Sequence, residues 1–195
     1  MQTYLCVTCG TQYPPSAQLL EQPPAHCPIC EDERQFVGHS GQEWISFQDL
    51  QHKFRNRIFQ EDPGLWGIVS EPKFAIGQRA LLVRAGGRNI LWDCISLVDD
   101  ATVARVRELG GVSGIAISHP HYYSSMIEWS RAFGGVPIYL HAADRQWVQR
   151  PDPAIQFWDG ETHSLGDGLT LIRADAHFAG FQVLHSAAEI GRAHV

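Results

Sequence analysis

The chain lacks the features that mark a membrane or nucleic-acid protein. None of its apolar runs approaches the roughly 20 residues that a membrane-spanning helix requires, so no membrane partner is expected. The N-terminus, Met1-Gln2-Thr3-Tyr4-Leu5-Cys6, carries neither the basic region nor the apolar stretch of a secretory signal. Cations are in short supply: 15 Lys+Arg face 21 Asp+Glu, a net charge of −6, with no basic block and no aromatic-basic interleaving. Nucleic acid is therefore not an expected partner, and the expected location is cytoplasmic. Internal repeats and low-complexity segments are missing too. What remains, 195 residues that are 44% hydrophobic and 18% charged, suits one sizeable core with a small appendage.

Cysteine is scarce as well, five in all, yet four of the five are ordered. Cys6/Cys9 and Cys27/Cys30 are two C-x-x-C pairs separated by the stretch from Gly10 to His26, a spacing that reads as a four-thiolate metal site. A tetrahedral shell of four sulfurs leaves no open position for chemistry, so the expected role is structural. Two disulfides in a secreted miniprotein are disfavoured by the missing signal peptide. Cys6-Val7-Thr8-Cys9-Gly10 with Tyr13, followed by Cys27-Pro28-Ile29-Cys30, resembles the paired knuckles of rubredoxin-like modules and zinc ribbons. The short loop between the knuckles, and Glu31 where rubredoxins usually place glycine, favour zinc over iron, with iron kept as the alternative. Cys94 lies in an apolar segment and is expected in the core.

Beyond the knuckles the sequence predicts a linker helix. Ser46 with Asp49 three residues on reads as its start, Phe47, Leu50, Phe54 and Ile58 continue at helical spacing, and Asp62-Pro63-Gly64 stops it. Short apolar segments at 65–69, 74–76, 80–84 and 89–95 then read as strands separated by turns. A helix capped by Asp99/Asp100 and ended by Gly110-Gly111 leads to a strand over 112–117. Ser125-Met126-Ile127-Glu128 reads as a capping box for a second helix, released by Gly134-Gly135 into a strand over 136–140. A short helix over 142–149 and strands over 169–173 and 181–184 complete the pattern.

Ser118-His119-Pro120-His121 follows directly on the strand over 112–117. Two imidazoles at i and i+2, where a buried strand emerges at a sheet edge, can point the same way and share one metal, whereas core histidines usually come singly.

The order of elements, hairpins first and then strand-helix-strand with histidines at strand ends, resembles the metallo-β-lactamase-fold hydrolases over roughly 65–188. Ile90-Leu91-Trp92-Asp93 looks like the family strand that ends in a buried aspartate. Ser118-His119-Pro120-His121 resembles the first half of its metal motif, and His177-Phe178-Ala179-Gly180 the third metal histidine with its following glycine. The resemblance implies a small-molecule substrate and one site built from His119, His121 and His177. Three neutral imidazoles with a water in the fourth position are also what zinc, or another divalent metal, needs to present a hydroxide nucleophile near neutral pH. The fold implied is α/β (α+β), a metallo-β-lactamase-like αββα sandwich with a small N-terminal zinc-ribbon-like module. Its expected parts are the four-cysteine module over 1–41, the linker helix over 42–64 and the sandwich domain over 65–189.

The family motif continues with an aspartate two residues after the second histidine and a further histidine beside it, which hold a second metal. Tyr123 and Ser124 stand there instead, and neither a phenol nor an alcohol ligates well at neutral pH. Three outcomes stay open: a mononuclear hydrolase, a pocket rebuilt around Tyr122, Tyr123 and Ser124 as substrate contacts, or an inactive protein whose zinc ribbon serves as a binding or scaffold module. Asp93 and His141 are candidates to support or line the site. An iron-bearing module passing electrons is a third functional class. Residues 190–195 translate a string resembling a sequencing-adapter read, so they are expected to be a non-native tail, with the sandwich incomplete beyond about Ala188.

Overall fold

The computed structural model describes residues 3–15, 23–32, 37–39 and 41–187. The expected tail over 190–195 lies outside the described residues. β1 (Tyr4–Cys6) pairs antiparallel with β2 (Trp44–Ser46), and α1 (Phe47–Lys53) follows directly. The strand partner of the first cysteine knuckle thus comes from beyond residue 41. Ser46 caps α1 as its spacing predicts, its Oγ accepting from the Asp49 amide at 3.0 Å.

The linker helix ends far short of its expected limit. Phe54 is already extended, and β3 (Arg55–Asp62) forms a hairpin with β4 (Leu65–Glu71) through Asp62-Pro63-Gly64. The reason is tertiary: β3 pairs with β4 from Arg55 to Gln60 and again, past a bulge, at Asp62, and Arg57 adds a 2.7 Å ion pair to Glu71 across the hairpin. Helical spacing of four apolar residues could not outweigh that pairing. Residues 74–76, expected as a strand, form a turn that tucks Phe74 against Leu5, Leu50 and Leu97.

From β3 onward the chain lays down a seven-stranded sheet in sequence order, adding β5 (Arg79–Ala85), β6 (Arg88–Trp92), β7 (Gly114–Ala116), β8 (Ile138–His141) and β9 (Ile155–Trp158). β3 to β6 run antiparallel and β6 to β9 parallel. The parallel half needs three crossovers, which α2 (Asp100–Glu108), α3 (Met126–Ala132) and a 3-10 segment (Ala142–Trp147) supply in turn. Side-chain alternation gives the sheet two buried faces. Leu82, Leu91, Ile115 and Ile138 pack with Val103, Val106, Met126, Ile127 and Trp129 of the helices, and Cys94 joins that core. Leu81, Ile90, Trp92 and Ala116 face the other way, onto Leu165, Leu169 and Leu171. Those residues belong to a three-stranded antiparallel sheet of β10 (Thr162–Gly166), β11 (Leu169–Arg173) and β12 (Gln182–Ser186). Each fully buried Leu or Ile in these layers is worth about 1.5–3 kcal/mol of transfer free energy. Among the described residues the layers are helix, sheet, sheet, and no helix is long and apolar enough to cross a membrane.

Candidate metal centres

Two groups of ligands converge. In the first, the Sγ atoms of Cys6, Cys9, Cys27 and Cys30 lie within 4.8 Å of one another, all buried. Cys6 and Cys30 are 3.5 Å apart and Cys9 and Cys27 3.7 Å, close to the roughly 3.8 Å edge of a tetrahedron with 2.3 Å metal–sulfur bonds. The residues therefore fit a four-thiolate metal. Each knuckle is a tight turn closed by backbone bonds, Gly10 N–H to Cys6 C=O at 2.8 Å and Cys30 N–H to Cys27 C=O at 2.9 Å. Gly10 adopts φ +79°, and a Cβ there would strike Ser96 Oγ and Gln78 Oε1. Hydrogen bonds from Cys30, Cys6 and Cys9 hold the Cys27 thiol far below the ordinary range, while Cys27 in turn pushes Cys30 and Cys9 up.

In the second group, one ring nitrogen each of His119, His121 and His177 lies within 4.8 Å of the others. His119 precedes and His121 lies within a short 3-10 turn (Pro120–Tyr122) that follows β7, and His177 comes from the turn between β11 and β12. Ring centroids are 5.2 Å apart for His119 and His121, 4.6 Å for His119 and His177, and 5.5 Å for His121 and His177. Burial, then the neighbouring imidazoles, push the His119 pKa down to about 3, so its ring is neutral at physiological pH. Its tautomer is set from behind. Asp93 Oδ1 accepts from both the Ser118 N–H (2.7 Å) and the Ser118 hydroxyl (2.8 Å). The hydroxyl proton being committed, Ser118 Oγ accepts from His119 Nδ1–H at 2.8 Å, leaving Nε2 as the ligand atom. Three convergent imidazoles fit a divalent metal.

Three residues that the sequence did not single out assemble this site. Gln182, fully buried, donates from Nε2 to Ile117 C=O (2.7 Å) and Tyr139 C=O (3.0 Å), accepts from Trp158 Nε1 (2.8 Å), and its N–H reaches Ser118 C=O (3.0 Å). It clamps the small sheet to the strand ends that carry His119. Buried Asp144 accepts from the Gly180 N–H at 2.8 Å, pinning the turn that follows His177, and a Cβ on Gly180 would sit 2.7 Å from the Asp144 carboxyl carbon. Gln78 holds the His121 carbonyl at 2.6 Å. Amides and a lone carboxylate carry no periodic or spacing signal, so only their burial marks them.

The other expected site residues separate. Asp93 is buried behind His119, its pKa pushed up to about 7 by burial against the opposing Ser118 hydrogen bonds. Tyr122 is half-buried with its ring 5.3 Å from His119. Tyr123 and Ser124 correct the expectation of a pocket rebuilt around all three residues. Tyr123 is 2% exposed within the helix-side core, and Ser124 is buried at φ +35° with its Oγ unpartnered, so neither can touch a substrate. Ser125 forms no capping box; its Oγ donates to Ser96 C=O instead. His141 packs edge-on against Trp158, its Nδ1 accepting from Ala143 N–H and its Nε2 donating to Gly160 C=O, so neither nitrogen is free for a metal.

No protein-family model matches the chain. Solved structures do. The DIM-1 metallo-β-lactamase superposes with a TM-score of 0.55 at 14% identity, over 69% of this chain and 66% of that one. A metallo-β-lactamase from Hirschia baltica superposes at 0.51 and 17% identity, over 68% and 67%. The rubredoxin oxygen:oxidoreductase of Desulfovibrio gigas superposes at 0.51 and 16% identity, over 68% of this chain and 39% of that one. The chain has the metallo-β-lactamase fold, joined at its N-terminal end to a four-cysteine cluster. The uncharacterized protein YmaE of Bacillus subtilis strain 168 is 46% identical over 187 residues, 95% of this chain. The chain spans 66% of the length of that curated relative.

Proposed function

We propose that the chain is a mononuclear metal-dependent hydrolase acting on a small-molecule ester, thioester, lactone or phosphodiester. Zinc is the proposed metal at both centres. The observation that carries this reading is the convergence of His119, His121 and His177 within 4.8 Å, in a fold shared with metallo-β-lactamases. When bound, a divalent metal in this set supplies Lewis acidity and a water activated near neutral pH. Asp93 and Ser118 orient the His119 ring. Phe181, stacked on His119 at 5.2 Å, and Phe178, 5.2 Å from His121, exclude water from the buried side, and exposed His177 marks the side from which a substrate arrives. Burial raises the Tyr122 pKa, with the Asp93 charge adding to it, so its phenol stays protonated beside His119 and is the available hydrogen-bond donor. A single metal is supported by the burial of Tyr123 and Ser124, which stand at the second-metal positions of the family motif. The short knuckle loop and five free thiols support zinc at the cysteines and a reducing, cytoplasmic setting.

Metal analysis tests the reading. The purified chain is expected to hold two zinc atoms and His119→Ala one, with loss of turnover on a panel of ester, thioester, lactone and phosphodiester substrates. One metal in both proteins would overturn it.

A further inference from the structure

The four-cysteine cluster and the histidine site meet through buried polar and aromatic contacts. Gln78, 5% exposed, donates from one amide nitrogen to the Cys9 carbonyl at 2.9 Å and to the His121 carbonyl at 2.6 Å. Its Oε1 lies 3.1 Å from Ser96 Oγ, which is also 2.9 Å from the Gly10 carbonyl. One side chain therefore holds the backbone of a cysteine ligand and of a histidine ligand together. A second tie runs from the Gln12 N–H, just past the first knuckle, to the Ser124 carbonyl at 3.1 Å, immediately after the histidine turn. A third is aromatic. Trp147 packs on the cysteine cluster and meets Phe178 edge-on at 5.4 Å, and Phe178 lies 4.7 Å from His177 and 5.2 Å from His121.

We propose that the cysteine cluster is a wall of the histidine site, with Gln78 and Trp147 as positioning residues, so that metal bound by the cysteines raises the affinity of the histidines for theirs. Filling the thiolates locks the Cys9–Gly10 turn. The Cys9 carbonyl is then fixed, the Gln78 amide is held in its place, and the His121 backbone is presented in its ligating position before any metal arrives. An empty cluster leaves that turn free to move and the Gln78 amide with one anchor fewer. The coupling is reciprocal, as any linkage between two binding sites must be. This inference rests on the reading of the histidines as a metal site.

Cobalt(II) is the probe, because sulfur-to-cobalt charge transfer reports the cysteine site and weaker visible bands report the histidine site. The full chain, stripped and reduced, is loaded with one equivalent of zinc at the cysteines and titrated with cobalt. The same titration follows for Gln78→Met, which keeps the volume and removes both hydrogen bonds, and for Cys9→Ser. Both variants are expected to bind histidine-site cobalt about tenfold more weakly, the size of effect typical of groups that orient metal ligands. Gln78→Met should keep its charge-transfer band, when cobalt fills the cysteines, and its far-ultraviolet circular dichroism. Trp147→Leu, at a half-buried position outside the strands, is expected to weaken the site likewise and serves if Gln78→Met does not fold. Affinity within twofold of wild type in a folded variant would overturn the coupling while leaving the metal site standing. Absence of histidine-site bands in the wild-type chain would overturn the metal reading itself.

Discussion

Asp93 sits behind the histidine site as a buried carboxyl that receives two hydrogen bonds from Ser118 on one oxygen. Burial outweighs those bonds, and the pKa rises from the ordinary 3.8 to about 7. The folded chain therefore binds this proton more tightly than the unfolded chain. Between pH 3.8 and about 7 the stability contributed by the neutral carboxyl is lost as pH rises. Asp93→Asn keeps the accepting oxygen and removes the charge. In chelator-treated protein the stability of Asp93→Asn relative to wild type is expected to increase as pH rises through that window, by on the order of a few kcal/mol. Denaturant melts at pH 4 and pH 7.5 read it, and a constant difference would contradict it. Asp93 was legible through the resemblance of Ile90-Leu91-Trp92-Asp93 to the family strand that ends in a buried aspartate. Gln78, Asp144 and Gln182 were not, because what makes them matter is the set of carbonyls and amides that folding brings to them.

At the level of elements, strength of local signal decided which expectations held. α2 is capped by Asp99, whose carboxylate accepts from Thr102 N–H at 2.7 Å, and lies where a cap and two glycines had placed it. β3 was misread as helix because apolar residues at 47, 50, 54 and 58 satisfy a helical period, and the competing hairpin depends on β4, which a local pattern does not contain. β9 and β10 went unseen for the same reason: Ile155–Trp158 and Thr162–Gly166 are short and mixed, and gain their identity from β8 and β11. The small sheet owes its position to Gln182, which links β12 to the ends of β7 and β8. Gln182→Leu leaves the Ile117 and Tyr139 carbonyls and the Trp158 indole without that partner. A destabilisation of about 2–4 kcal/mol is expected in urea melts, since each stranded buried group costs roughly 1–3 kcal/mol. A change under ~0.5 kcal/mol would show that the sheet is held by its apolar face alone.

For the whole molecule, the two parts are unequal in what supports them. The sandwich has two extensive apolar layers, whereas among the described residues the four sulfurs have only Tyr13 and Ile29 as buried company, with Val37, Trp44 and Trp147 partly buried against them. So small a core is expected to depend on a metal held by the four cysteines. Removing metal with a chelator is expected to lower the thermal midpoint by at least about 5 °C, with restoration on adding zinc. An unchanged midpoint in protein shown by elemental analysis to be metal-free would refute that dependence.

The amino-acid sequence by itself determined the four cysteines and the histidine pair as ligand candidates, because C-x-x-C turns and two histidines at a strand end are local geometry, whereas His177 and the sandwich were read from the resemblance to metallo-β-lactamase-fold hydrolases. Only the tertiary structure decided that Tyr123 and Ser124 are interior and that His141 is used up by backbone groups. It also decided that the cysteine cluster leans on the histidine site through Gln78. Those outcomes depend on which distant segments share a buried space, and a contact between residues 9, 78 and 121 has no signature in any of the three segments alone.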